Sequence, residues 1–333
     1  MNPSDKRSLS SWVSLAWQAL ALAAVLLVGW WLVRNAAANL SARNIASGFG
    51  FLQDTAGFAI SEGVLPYDME DAYWRAFLAG VANTLRAALP AVLLASLLGL
   101  LVGVAQISQH AVLSRVARLY VDVVRNVPLL VQVLLWYFAL TELLPAQEQP
   151  AQWGGHLYLS KAGLSFAVPA FSGPVSWASL GWDVPQITAF GTSGGAVLTP
   201  EWLALVGALS LYGAAYCAEV VRAGLSAVPR GQWESGHALG LTWTQTLSRV
   251  ILPQGLRVMV PPYTSLVMNT IKNSSLAVAV GYPDIVSVAT TAMNQNGQAI
   301  ECIAIIAGVY LVLNLLTALV MAWVNHRVQI TER

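Results

Sequence analysis

Six low-charge apolar stretches, each near 20 residues long, constrain this chain more than any other feature. They lie at roughly 14–33, 85–107, 120–143, 202–221, 257–281 and 298–323. About 20 apolar residues in a helix cross the hydrocarbon core of a bilayer. Only helices and closed barrels satisfy every backbone polar group in lipid. The chain is 56% hydrophobic and 10% charged, with a mean hydropathy of +0.61, whereas soluble domains carry about 25% charged residues. The expected fold is an all-α membrane protein of about six transmembrane helices, not a soluble domain with a large core. A net charge of +1 gives no bulk electrostatic case for nucleic-acid binding.

Cationic residues orient the spans. With a cytoplasmic N-terminus, the inside segments hold ten: Lys6, Arg7, Arg115, Arg118, Arg222, Arg230, Arg249, Arg257, Arg327 and Arg333. The outside segments hold four: Arg34, Arg43, Arg75 and Lys161. Arg86, Arg125 and Lys272 fall in or at the edges of spans. The positive-inside rule therefore predicts N-in, C-in. A cleaved signal peptide is the rival reading of span 1, with Lys6 and Arg7 before an apolar run and Ala36-Ala37-Ala38 after it. The length of the run and Trp30-Trp31 at its end favour a retained anchor.

The chain reads as an N-terminal helix and outer segment over 1–78, then a transmembrane domain over 79–325. Residues 34–78 mix Gly, aromatic and acidic residues. Residues 145–200 are rich in Gly, Pro, Ser and Trp, and 163–171 is too short to span. It is expected to be a loop on the outer face or a re-entrant segment. Cys217 and Cys302 lie inside apolar spans and read as small buried hydrophobes.

Several chemistries lack their motifs. There is no G-x-x-x-x-G-K-[S/T] to cradle ATP, no C-x-x-C and no H-E-x-x-H. His110, His156, His237 and His326 are far apart. The expectation is a chain that is not an enzyme and binds no cofactor or metal of its own.

Between spans 4 and 5 the chain turns polar. Pro229 suits a helix start, and Glu234 is placed in the first turn, where the helix dipole favours it. Trp233 and His237, four apart, share a face. Gly240 permits a sharp bend. Trp243, Leu247 and Val250 or Ile251 form a second apolar face, and Pro253 is expected to end the segment. The pattern reads as two short helices meeting at Gly240, either seated on another protein or lying on the lipid surface.

The spacing settles that choice. Glu234, then Gly240, Val250 and Leu252-Pro253, resembles the cytoplasmic E-A-A-x3-G-x9-I-x-L-P loop of ABC importer permeases. Further blocks resemble the permeases of polar amino-acid ABC importers, most closely their general L-amino-acid branch. Phe77 to Leu85 is similar to F-x-x-G-x-x-N-T-L. Tyr120 to Gln132 is similar to Y-x-x-x-x-R-x-x-P-L-L-V-Q. Gly213 to Arg222 is similar to G-A-Y-x-A-E-x-x-R, and Lys272 to Leu276 to K-x-S-S-L. Asn44 to Leu52 and the extra first span point to the general branch. The departures are Ser235-Gly236 for Ala-Ala and Val250 for Ile. Gly236 is expected to weaken the first coupling helix by about 1 kcal/mol relative to Ala.

The resemblance implies a type I ABC importer transmembrane domain in a bacterial inner membrane. Its coupling loop, 227–255, would engage an ATPase through Trp233, Glu234, His237, Ala238, Gly240 and Leu241. The implied partners are a second, similar permease, an ATPase dimer that binds ATP and Mg, and an external binding protein that delivers the amino acid. An ion-coupled transporter acting alone is the alternative, with Glu219 its one strong internal candidate.

Polar residues inside spans are the substrate-path candidates, because ionisable groups in a membrane face a cavity or a partner. Glu219 could pair with an ammonium or with Arg222. Gln132 could bind a zwitterion or bridge helices. Lys272 could attract a carboxylate, snorkel or meet a facing helix. Tyr216, Asn269 and Asn273 complete the set. Arg125 reads as an anchor or gate contact rather than a ligand. Pro128, Pro261 and Pro262 are expected to distort their helices.

Overall fold

The computed structural model describes residues 3–42, 47–171, 180–188 and 191–328. Arg43, Arg333 and the block Asn44–Ala46 lie outside the described residues. The fold is mainly helical. Long helices are α1 (Pro3–Ala42), α2 (Tyr73–Gln106), α5 (Pro200–Ser226), α8 (Leu252–Asn273) and α10 (Ala299–Val328). Shorter ones are α3 (Ala111–Asn126), α4 (Leu129–Leu143), α6 (Arg230–Ala238), α7 (Trp243–Thr246) and α9 (Ile285–Asn296). Four helices are long and apolar enough to cross a membrane, and six spans result if each of two bent pairs counts as one.

One bent pair corrects the third expected span. Residues 120–143 do not form one helix: α3 and α4 meet at 101° around Val127-Pro128. Proline disfavours helical backbone in the residue before it, and Val127 is extended, at φ −95° and ψ 127°. The Gln132 amide closes the break, donating to the Val124 and Val127 carbonyls at 2.8 and 2.9 Å. The other bent pair joins the rod Trp243–Val280 to α9 at 52°. Helix α9 had no counterpart in the six-span reading.

The centre of the molecule is the crossing of α2 and α5. Gly99 and Gly103 on α2 lie against Cys217 and Val221 on α5. A Cβ on Gly103 would sit 2.6 Å from that of Val221. Ala214, Ala215, Cys217 and Ala218 are all buried. Lipid gives no hydrophobic drive between helices, so close backbone approach through small residues supplies the attraction. Cys217 and Cys302 are buried and unpaired, as small apolar side chains.

The segment 145–200 is not a loop. It carries eight short strands among its described residues: β1 (Ala151–Trp153), β2 (Leu157–Ser160), β3 (Gly163–Phe166) and β8 (Ala196–Leu198) form a four-stranded antiparallel sheet in the order β1-β2-β3-β8, and two antiparallel pairs join β4 (Val168–Phe171) to β5 (Leu180–Asp183) and β6 (Gln186–Thr188) to β7 (Gly191–Ser193). Strand β2 (Leu157–Ser160) pairs with β3 (Gly163–Phe166) through a tight turn. Gly163 there has φ +111°, and a Cβ would collide with the Leu198 carbonyl oxygen.

The segment before α2 is anchored as well. Phe51, Ala56, Tyr73 and Phe77 pack with Ile285, Val288 and Ala292 of α9. Glu62 accepts from Thr199 Oγ1 at 2.6 Å and pairs with Arg86 at 2.7 Å. Asn83 donates to the Glu62 and Pro283 carbonyls, both at 2.9 Å, and Tyr282 donates to the Asn83 carbonyl at 3.0 Å. This clasp ties residues near 62, the start of α2, the start of α5 and the turn before α9.

Candidate functional site: a membrane cavity and a helical elbow

Helices α5 and α8 each turn one face toward a shared cavity. On α5, Tyr212, Tyr216, Glu219 and Ala223 recur at the spacing of one helix face. The opposite face, with Ala214, Cys217, Ala218 and Val221, is the one buried. On α8, Val258, Pro262, Ser265, Asn269 and Asn273 repeat the pattern. An outer chamber of about 420 Å³ is lined by Tyr212, Tyr216, Pro262, Ser265, Asn269 and Asn273, among others. An adjoining chamber of about 260 Å³ is lined by Arg125, Tyr216, Glu219, Val220, Val258 and Pro262, with Ala223 and Gly224. Tyr216, Val220 and Pro262 border both, so the two form one passage beside α5.

Three of the six substrate-path candidates, Tyr216, Asn269 and Asn273, meet in the outer chamber, and Glu219 lines the adjoining one. The other two lie elsewhere. Gln132 is buried and committed to the α3–α4 break. Lys272 is exposed and lines neither chamber. It lies one residue from Asn273, but 100° around the helix.

Glu219 is already paired. Arg222, one turn on, approaches it through Nε, at 3.1 Å from both carboxylate oxygens, and through Nη2. Tyr212 donates its hydroxyl hydrogen to the Tyr216 hydroxyl at 3.1 Å, with ring centroids 4.8 Å apart. The Arg125 guanidinium lies over the Tyr216 ring, 4.8 Å from its centroid. Arg125, which the sequence suggested as an anchor or gate contact, lines the adjoining chamber from the end of α3.

The second candidate region is the elbow. Helix α6 ends in a left-handed cap: Gly240 has φ +75°, its N–H bonds the His237 carbonyl, and the Leu241 N–H bonds the Gly236 carbonyl. Two of the orphan carbonyls of the last turn are thereby satisfied. Thr242 and Gln245 then cap α7 reciprocally. The expected bend at Gly240 is present. Trp233 and Trp243 stack across it, 6.1 Å between centroids. With His237, Leu225, Val228 and Ile107 they line a cavity of about 550 Å³ under the elbow. Leu247 and Ile251 are buried against Leu225 and Met259, which makes the second apolar face.

Three local expectations are corrected. Glu234 is the fifth residue of α6, not in its first turn, and is exposed. Pro253 does not stop the segment: it is the second residue of α8, directly after a π turn. A π turn, Leu247–Ile251, carries the helix from α7 into α8 without a gap. Gly236 is not a weak point either. A Cβ there would lie 2.5 Å from Thr246 Cγ2, so its lack of a side chain lets α6 and α7 close together. Ala238 and Leu239 are exposed at the tip, Leu239 by 79%, and Leu241 is half-buried. Leu239 was missed, although a large apolar residue just before a bend glycine marks such a tip.

Comparison with known proteins agrees with this architecture. Residues 95–330 match the family described as binding-protein-dependent transport system inner membrane component. The chain is 38% identical to the putative amino-acid ABC transporter permease protein YhdX of Escherichia coli, over 96% of this chain and 95% of that protein. It is 36% identical to the general L-amino acid transport system permease protein AapQ of Rhizobium johnstonii, over 94% and 92%. A crystal structure of an amino acid ABC transporter with histidines shares the fold, with a TM-score of 0.55 at 24% identity over 77% of this chain and 95% of that one. The chain belongs to the binding-protein-dependent inner-membrane transport components, as a multi-pass permease subunit of the amino-acid ABC importer kind.

Proposed function

We propose that this permease conducts polar amino acids inward through the α5–α8 passage, driven by a separate ATPase that grips the α6–α7 elbow from the cytoplasm. One observation carries the reading. The elbow runs through α7 and the π turn into α8 as one helical rod, and α8 is a wall of the passage. Force applied at Ala238, Leu239 and Gly240 therefore reaches Pro262, Asn269 and Asn273 across the short bend at 239–242 and then along continuous helix. ATP and Mg belong to the partner, which closes and reopens the passage by alternating between two states. A second permease completes the passage around α5 and α8. An external binding protein delivers the amino acid at the outer face, where the β-strands lie. The inner membrane and the N-in, C-in orientation follow from the family and the charge asymmetry. The relative named for general L-amino acid transport supports a broad polar amino-acid range.

The test is to purify the tagged chain from gently solubilised native membranes, then assay uptake of the recovered complex in proteoliposomes. Recovery of a P-loop ATPase and a second permease is expected. Gly240→Pro removes a positive φ that proline cannot adopt, and it is expected to abolish uptake while the chain still inserts. Wild-type uptake by that variant would refute coupling through the elbow.

A further inference from the structure

We infer that Arg125 is the residue that receives the substrate's α-carboxylate in the passage. The inference rests on the proposed transport function and reverses the expected order of roles, in which Glu219 meets the ammonium.

The charge arrangement carries it. Two charged side chains line the adjoining chamber, Arg125 and Glu219. Glu219 is held by Arg222 at both oxygens, so that pair is neutral. Among the described residues no carboxylate lies within ion-pair distance of Arg125. It lies over the face of Tyr216, an interaction that leaves the guanidinium edge and its N–H groups available. Glu219, its partner Arg222 and Arg125 together leave a net positive charge beside the chamber. A guanidinium matches a carboxylate in planar, two-point geometry. The neighbouring chemistry fits the same ligand. The Tyr216 hydroxyl accepts from Tyr212, which leaves its own hydrogen to donate. Asn269, Asn273 and Ser265 in the outer chamber offer uncharged donors and acceptors for the ammonium and a polar side chain. An amino acid's carboxylate would sit at the Arg125 end and its variable part among the amides, so one cation would serve many side chains.

The experiment uses the full complex, reconstituted with its ATPase, second permease and binding protein. Uptake of radiolabelled L-glutamate, L-glutamine and L-arginine is measured beside binding-protein-stimulated ATP hydrolysis. If the wild-type complex carries none of the three, the transport reading itself fails, and that failure is visible before any variant is made. For those carried, Arg125→Gln is expected to lower the maximal uptake rate at least about tenfold, by a similar factor for each, with ATP hydrolysis still stimulated. Arg125→Lys, which keeps the charge but not the fork, is expected to fall between the two. Wild-type uptake by Arg125→Gln, a loss confined to L-glutamate, or an Arg125→Lys variant as inactive as Arg125→Gln would overturn the assignment.

Discussion

Single residues in the elbow are placed by contact, not by propensity. In an isolated helix Ala outranks Gly by about 1 kcal/mol, and on that ground Ser235-Gly236 looked like a loss against Ala-Ala. In the folded elbow the comparison inverts. A Gly236→Ala methyl would press on Thr246 Cγ2 at 2.5 Å, and overpacking of this kind costs about 1–3 kcal/mol. Gly236→Ala is therefore expected to lower the thermal stability of the purified complex and its coupled ATP hydrolysis. Thr246→Ser deletes the clashing methyl and should restore much of both in the double variant. Equal stability of Gly236→Ala and wild type would show that the elbow has slack. Glu219 teaches the same lesson: its type announced a membrane carboxylate, but only its distance to Arg222 shows that it is spent on a partner.

At the scale of elements, the decisive contacts join helices far apart in the chain. Gly99 and Gly103 are four apart, a small-xxx-small pattern on α2, and they seat on Cys217 and Val221 of α5. Gly103→Ile would force the two backbones apart along the crossing. It is expected to cut the yield of folded, monodisperse protein in detergent severely, whereas Gly207→Ala on α5, where an added Cβ meets nothing within 4 Å, should be tolerated. Normal yield and melting of Gly103→Ile would remove the close crossing from the account. Helix α3 shows how one element serves three surroundings. Ser114, Ala117 and Val121 are buried on one face. Val112, Val116, Leu119 and Val123 form an exposed apolar stripe. Arg115, Arg118, Asp122 and Arg125 share the polar face between them. The sequence merged this helix with α4 because apolar content continues through the break. Pro128 was the visible signal of a distortion, but the 101° angle depends on Gln132 closing the break from the next helix.

For the whole molecule, the outer clasp sets how the parts hold together. Glu62 reaches Arg86 on α2 and Thr199 at the head of α5, and Asn83 joins both to the turn before α9. The paired side chains of Glu62 and Arg86 are 13% and 22% exposed, so the bond is partly shielded. Glu62→Gln keeps the shape but loses the charge, and it is expected to cost about 2 kcal/mol. The purified chain should melt several degrees lower, and double variants with Arg86→Gln should lose less than the sum of the single changes. Additive losses would mean that the two side chains do not act as a pair. The β-structure within 145–200 meets α5 through β3 and reaches the end of α4 through Lys161, 4.0 Å from Glu142. Its strands are three or four residues long, too short for alternation to stand out from the surrounding Gly, Pro and Ser.

The sequence by itself determined that this is a multi-span membrane protein, placed most of its long helices, and located the elbow around Gly240. Those properties are local: apolar run length, charge count on each side of the membrane, and one glycine where the chain takes a positive φ. Tertiary structure alone decided which polar residues face the passage. Gln132 and Lys272 look as suitable as Asn269 and Asn273 in one dimension, yet one closes a helix break and the other points away from the cavity. The physical reason is that an ionisable or amide group in lipid must find a partner, and whether that partner is another side chain, a backbone carbonyl or an open passage depends on residues brought near by folding.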